Sequence, residues 1–146
     1  MKTLLTAIKA QLQASLTYIR DSDIYITPHV NFIPNAARPP CVGIKDGAIK
    51  REAIMGDCVV STMSVSIIVL VQLQKDAASI MGDTTTSKKG VLDICDDIEN
   101  ALNHNLLGIT GLQHAYCEAS AASEMFGDDR ESLQRKIITC NYEKQT

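Results

Sequence analysis

The chain has 146 residues, a length typical of one domain with its own hydrophobic core, so we expect a single domain over 1–146. Apolar residues make up 45% and charged residues 21%, a balance that disfavours disorder or coiled coil for the whole chain. The formal charge of −3 lacks the basic surface of a free nucleic-acid binder, and four Tyr, two Phe and no Trp disfavour a base-stacking platform.

The apolar segments favour a protein without membrane contact. The longest of them, around Val65–Val71, is too short to span a bilayer. Lys9, Gln11 and Gln13 interrupt the apolar N-terminal run, and no small-residue cleavage site follows it, so the run does not match a signal sequence.

The cysteines predict neither a disulfide framework nor a metal site. Their number is odd and their gaps are wide, whereas zinc sites and disulfide scaffolds use closer, patterned spacing. Free cysteine is among the most buried residue types, so we expect reduced, mostly buried thiols formed in a cytosol, with no metal and no catalytic role. The set is Cys41, Cys58, Cys95, Cys117 and Cys140.

The first third of the chain predicts a helix, a short strand and a connector. Apolar residues at steps of three and four predict the helix over Thr3–Arg20. Asp21–Asp23 ends it, since short polar side chains compete for backbone hydrogen bonds, and Ile24–Ile26 follows as a strand. Residues 28–40 hold all four prolines, which fix φ and remove backbone donors, so we expect an extended connector there.

The next part of the chain predicts two strands joined by a projecting segment. Cys41–Lys45 has the composition of a strand, and Asp46-Gly47 and Gly56-Asp57 are turn signals. We therefore expect 46–58 to form a projecting loop or loose hairpin. Val59–Lys75 alternates in polarity and is rich in β-branched residues, which predicts a long strand buried on both faces at its middle.

A second amphipathic helix is expected over Lys88–Asn103, after a polar loop, with Thr86 or Ser87 as its N-cap. Its polar face carries carboxylates that could hold Mg²⁺. A solvated face is the favoured interpretation, because no phosphate-binding loop or second acidic motif accompanies them and early acids suit the helix dipole. The carboxylates are Asp93, Asp96, Asp97 and Glu99.

Two strands are predicted in the last third, Leu112–Ser120 and Arg130–Glu143, joined through a turn at Gly127–Asp129. With the preceding elements they predict an α+β fold. We expect an antiparallel sheet of about four to five strands, with two helices packed on one face and a projecting loop or hairpin. This arrangement gives each element a partner against which to bury its apolar side.

The chain shows no catalytic constellation at the level of sequence. His29, His104 and His114 are far apart, and Cys117 and Cys140 lie in apolar strand contexts where core packing is the favoured role. The chain has neither a glycine-rich phosphate loop nor a nucleophile-elbow motif. These observations favour a binding or structural protein over an enzyme, and they predict no cofactor.

The long strand and the segment before it favour contact with a partner chain. Long unpaired strand edges invite pairing with another chain, and projecting loops on a rigid sheet commonly carry partner contacts. The segment Lys45–Asp57 combines charges of both signs with apolar anchors, which is the division found between the rim and the centre of interfaces. The predicted interface residues are Lys45, Ile49, Lys50, Arg51, Glu52, Ile54 and Met55.

The elements occur in a characteristic order along nearly the whole chain. They are Leu4–Arg20, Asp23–Ile26, the proline-rich approach to Cys41–Ile44, the turn at Asp46-Gly47, Met63–Val69, Val91–Leu102 and Lys136–Glu143. This order resembles the tail terminators of long-tailed bacteriophages, which are also called tail-completion or head-to-tail joining neck proteins. The resemblance is one of arrangement and includes no diagnostic motif.

The resemblance implies an α+β subunit of a ring, commonly of six copies, that caps the tail tube and docks to the head connector. The implied partners are other copies of the chain, the tail tube protein and the head connector or head-completion protein. DNA would pass through the lumen without sequence-specific binding. The resemblance also implies no catalysis, no cofactor, no membrane, and a place in the tail or neck of a virion assembled in the cytoplasm of a host bacterium.

Other interpretations stay open from the sequence alone. A head-closure or tail-tube subunit of the same particle is the nearest alternative. A small ligand-binding α+β domain and a thiol-dependent enzyme are the others. A ring assembly favours the neck protein, whereas a monomer or dimer with a deep pocket favours the last two.

Overall fold

The computed structural model describes residues 1–73, 77–83, 88–126 and 133–146. These residues form three α-helices, a one-turn 3₁₀ helix at Asp21–Asp23 and six strands. The α-helices and strands are α1 (Lys2–Ser15), β1 (Ile24–Ile26), β2 (Cys41–Ala53), β3 (Val59–Gln72), α2 (Ala78–Met81), α3 (Val91–Leu102), β4 (Leu112–Ser120), β5 (Glu124–Phe126) and β6 (Leu133–Gln145).

The strands form one mixed sheet in the order β1-β2-β3-β6-β4, and β5 also pairs with β6. The predicted α+β fold is confirmed. The sheet has six strands in the described residues, and β1 runs parallel to β2 while the other pairs are antiparallel. A parallel pair needs a crossover of about a dozen residues or more, and the proline-rich connector between β1 and β2 is long enough to supply it.

The first helix is confirmed but ends at Ser15, five residues before the predicted end at Arg20. Leu16 leaves helical geometry with φ −95° and ψ 72°. Leu16 and Ile19 are nevertheless buried, because the following turn directs both side chains into the same core as the helix. The helical spacing of apolar residues therefore extends to Ile19, although the helix itself ends at Ser15.

The segment 46–58 is more regular than predicted. β2 continues to Ala53 in antiparallel pairing with β3, so the residues of 46–58 outside the ladder are Gly47, Ala48 and the turn between Ala53 and Val59. Asp46-Gly47 is not a hairpin turn but lies at a register shift within β2. A Cβ on Gly47 would lie 2.7 Å from the carbonyl oxygen of Ser64, so glycine permits the close strand approach there.

The second predicted helix begins three residues later than expected, at Val91, with Gly90 as its N-cap. The Asp93 carboxylate accepts the Gly90 backbone N–H at 3.1 Å, which satisfies one free amide of the first turn. The predicted caps Thr86 and Ser87 lie outside the described residues. The short helix α2 was not predicted, and its Ile80 carbonyl leaves no room for a side chain at residue 90.

The predicted C-terminal strands are confirmed as β4 and β6, which pair antiparallel. The strand β5, on the same edge of β6, was not predicted as a separate element. The predicted turn at Gly127–Asp129, the first residues of the predicted return strand and the end of the predicted long strand at Gln74–Lys75 lie outside the described residues.

The main core lies between one face of the sheet and the two longer helices, as predicted. Ile8 and Leu12 of α1 and Ile94 and Ile98 of α3 are fully buried against this face. The sheet contributes fully buried or nearly fully buried side chains at alternate positions of its strands, which include Val42, Ile44, Val65, Ile67, Val69, Ile138, Cys140 and Tyr142.

The proline-rich connector covers part of the opposite face of the sheet. Ile68 and Leu70 of β3 are about 1% exposed and pack with Tyr25 and Cys41. Connector residues pack over this second cluster, among them Val30, Ile33 and Ala37. The prediction that the middle of the long strand is buried on both faces is thereby confirmed.

Candidate interaction surface

The predicted interface residues lie on the outer half of β2 and on the turn that follows it. The parallel pairing of β1 with β2 ends at Ile26 and Ile44. Thr27 then donates its backbone N–H to the Ile44 carbonyl at 2.9 Å. Beyond this bond, the outer edge of Lys45–Ala53 has no neighbouring strand in the described part of the chain. We call it the β2 edge.

The turn at the end of the β2 edge carries exposed apolar side chains. Met55 is 82% exposed and Ile54 is 58% exposed. Backbone hydrogen bonds from Ile54 to the Cys58 carbonyl and from Cys58 to the Met55 carbonyl close the turn, and Gly56 takes a φ of +61°. The turn is thus a closed unit that presents Ile54 and Met55 outward, and we call these two residues the apolar tip.

The structure does not bring all seven predicted residues to one surface. Ile49 is the register partner of the core residue Met63, so Ile49 and, two residues later, Arg51 lie on the helix side of the sheet. Lys45, Lys50 and Glu52 lie on the other side. The predicted set therefore divides between two faces that share the β2 edge and the apolar tip.

The opposite edge of the sheet is partly covered, a feature that the sequence did not indicate. The backbone N–H of His104 donates to the Ala115 carbonyl at 2.8 Å. The Asn103 side-chain oxygen accepts the Cys117 backbone N–H at 3.2 Å. Asn103 and His104, which directly follow α3, thus occupy hydrogen-bonding positions on the outer side of β4. This leaves the β2 edge as the longer open edge among the described residues.

A polar network crosses the open face of the sheet next to the connector. Ser64 on β3 donates to the Asn141 side-chain oxygen on β6 at 2.8 Å. The Asn141 amide donates to the Glu118 carboxylate on β4 at 2.6 Å. Asn141 is 5% exposed, and these partners satisfy both ends of its side chain. The network links three strands without a convergence of groups typical of a catalytic site.

Two of the four carboxylates of the acidic cluster are bound within the protein. Asp97 accepts hydrogen bonds from Tyr18 at 2.6 Å and from Lys89 at 2.7 Å. Burial tends to raise the pKa of Asp97, but the bonds from Lys89 and Tyr18 lower it overall. Burial and the bond to Asp97 raise the pKa of Tyr18. Asp93 caps α3, so these two carboxylates stabilise the start of the helix and its contact with Tyr18.

A cavity of about 310 Å³ lies beside this cluster. Tyr18, Lys89 and Ile94 line it together with Pro39 and Pro40 of the connector. Its volume is at the lower end of the range of small-molecule sites. No buried polar group converges on it within the described part of the chain, so it does not define a binding chemistry.

Two of the three histidines and two of the five cysteines are close together in the fold. His104 and His114 line one shallow depression with Tyr116 and Glu143. Cys117 and Cys140 are register partners whose sulfur atoms are 3.5 Å apart. In the residues that the structure describes, no three His, Cys, Asp or Glu side chains are placed to hold a metal ion.

The described helices are all too short or too polar to cross a lipid bilayer. The longest of them, α1, has 14 residues.

The whole fold, rather than any motif, relates the chain to a known structure. A chain of the virion of a native gene transfer agent (GTA) particle is similar to it, with a TM-score of 0.57 and 16% identity. The similarity covers 98% of this chain and 95% of that chain. Comparisons with protein-family models and with curated proteins find no match. At this identity the similarity establishes a shared fold.

Proposed function

We propose that the chain is a structural subunit of a phage-like virion. In this proposal it forms a ring, with six copies as the expected number, that ends the tail tube and joins the tail to the head connector. The observation that carries the proposal is the open β2 edge ending in the apolar tip, on a fold shared over nearly its full length with a chain of a GTA virion.

The β2 edge supports an assembly role because it combines two sources of binding energy. The outer edge of Lys45–Ala53 has no strand partner among the described residues, so its backbone groups can pair with a partner chain, although the Asp46 carbonyl also accepts a hydrogen bond from the Lys45 side chain at 3.0 Å. Ile54 and Met55 offer apolar area that becomes buried in a contact, surrounded by the charges of Lys50, Arg51 and Glu52. An exposed edge of this length without a covering element is a liability in an isolated monomer.

The proposed ring needs a head-to-tail contact between copies. Because Asn103 and His104 already occupy positions on the outer side of β4, the proposed contact joins the β2 edge to a surface of the neighbouring copy that is neither its β4 edge nor its β2 edge. A contact between two different surfaces generates a ring when its rotation closes. Such a ring gives the β2 edge of every subunit a binding partner. The two faces of the ring then contact the tail tube protein and the head connector.

A tail-tube subunit of the same particle is the second candidate, because the β2 edge could also join subunits within the stacked rings of a tube. In either role the expected chemistry is non-catalytic and needs no cofactor. DNA would pass through the ring without sequence-specific contacts, in line with the formal charge of −3.

Electron microscopy of the purified chain mixed with tail tubes that lack their terminal ring tests the proposal. We expect one ring at one end of each tube. Density repeated along the tube would instead support the tube subunit. Particles that stay monomeric and leave both tube ends unchanged would contradict both virion roles.

A further inference from the structure

Cys117 and Cys140 form a dithiol pair across two strands of the sheet. They are register partners in the antiparallel pair β4–β6, and their sulfur atoms are 3.5 Å apart. Directly opposed residues in such a pair have Cα atoms about 4.5–5.5 Å apart, and a disulfide needs about 4.4–6.8 Å. The backbone is therefore already placed for a covalent link, and side-chain rotation can bring the two sulfur atoms together.

The two thiols differ in their access to solvent. Cys140 is 1% exposed, whereas Cys117 is half-buried on an edge strand. The sulfur–sulfur hydrogen bond lowers the pKa of Cys117 and, together with burial, raises the pKa of Cys140. A register shift directly follows Cys117 in β4, so the ladder is irregular beside it. An attacking thiolate is favoured at Cys117, the more exposed of the two residues, although its side chain also packs against the main core.

We propose that Cys117 and Cys140 are a modification site at which a low-molecular-weight disulfide, such as oxidised glutathione, forms an intrachain disulfide. The Cys117 thiolate attacks one sulfur of the oxidant, forms a mixed disulfide and releases one thiolate, which takes up the proton lost by Cys117. Cys140 then loses its proton and attacks the Cys117 sulfur, which breaks the mixed disulfide and releases the second thiol. The two cysteines lose two electrons, and the oxidant is reduced to two thiols.

The link would fix β4 to β6 at a position remote from the β2 edge. β4 pairs with β6 alone among the described strands, so the bond would hold an edge strand against opening. The site does not depend on the proposed virion role, because it rests on the register of one strand pair.

Oxidised glutathione added to the purified, reduced full chain tests the site. We expect the intact mass to fall by two hydrogens, and peptide mapping without reductant to recover one linked pair that contains Cys117 and Cys140. The matched control is Cys58→Ser, which removes the other half-buried thiol and should retain the link. Cys140→Ala should instead trap one glutathione on Cys117.

The outcomes separate the proposal from simple surface oxidation. Glutathione added only at Cys58, or at Cys117 of the wild-type chain without progress to a link, would overturn the proposal. If Cys140→Ala does not fold, Cys117→Ser replaces it and should abolish the loss of two hydrogens. A link that persists in Cys117→Ser, or one that joins any other cysteines, would equally contradict the assignment.

Discussion

The Asn103 side-chain oxygen accepts the Cys117 backbone N–H at 3.2 Å and thereby covers part of the outer edge of β4. One residue later the His104 N–H bonds to the same strand at the Ala115 carbonyl. Among the described residues, the sheet therefore has one edge that its own chain partly protects and one edge without a strand partner over Lys45–Ala53. This asymmetry is the basis for assigning the assembly contact to β2.

We expect Asn103→Ala to destabilise the fold by about 1 kcal/mol, because it removes one hydrogen bond and leaves the Cys117 amide without this partner. Urea unfolding followed by circular dichroism measures the change. Asn100→Ala, at an exposed position of α3, is the matched control and should change stability far less. Equal effects of the two substitutions would show that Asn103 does not protect the edge.

Gly47→Ala should cost about 1–3 kcal/mol, since its new Cβ would lie 2.7 Å from the Ser64 carbonyl and push β2 from β3. Gly56→Ala meets no atom within 4 Å but has a φ of +61°, so we expect a cost of about 1–2 kcal/mol from backbone strain alone. Thermal unfolding of the two variants and the wild type measures these losses of stability. A neutral Gly47→Ala would contradict the close approach at the bulge.

Asp23 should make stability depend on pH on the acid side. Arg20 donates two bonds to its carboxylate, at 2.9 and 3.0 Å, and the Arg38 amide donates a third at 3.0 Å. Burial acts to raise the pKa of Asp23, but these bonds lower it overall. A folded-state pKa below the unfolded-state value gives stability that is present above the unfolded-state pKa and lost as pH falls through the folded-state pKa.

We therefore expect Asp23→Asn to lower the urea midpoint near neutral pH and to flatten its decline between about pH 5 and pH 2. Asp21→Asn is the control, because Asp21 is exposed in the same turn. Asp21→Asn should lose stability in parallel with the wild type on acidification. If Asp23→Asn does so too, the hydrogen bonds to Asp23 do not lower its pKa.

Local sequence patterns predicted the helices and strands whose side chains are buried at regular intervals. The steps of three and four predicted α1 and α3, and the alternation of Val65, Ile67 and Val69 predicted β3. The outer half of β2 was missed because its exposed, charged residues give no burial pattern, and because Asp46-Gly47 is a turn signal that a neighbouring strand converts into a bulge.

The remaining features depend on contacts between distant residues. The parallel direction of β1, the coverage of β4 by Asn103 and the approach of Cys117 to Cys140 all follow from which strands are neighbours and in which register. No local pattern encodes register across the β4–β6 pair. Ile54 and Met55 were predicted as interface anchors because they lie in a segment bounded by turn signals. The structure exposes both side chains, and their part in an interface stays a prediction.

In the proposed ring, the apolar tip of Ile54 and Met55 holds neighbouring copies of this chain together. Light scattering of the double variant Ile54→Ser, Met55→Ser measures whether the chain still assembles. The matched control is the double variant Ile26→Ser, Met125→Ser, since those residues are 44% and 64% exposed elsewhere on the surface. We predict a ring-sized mass for the wild type and the control, and a monomer with unchanged circular dichroism for the tip variant. A tip variant that assembles as the wild type does would contradict the account.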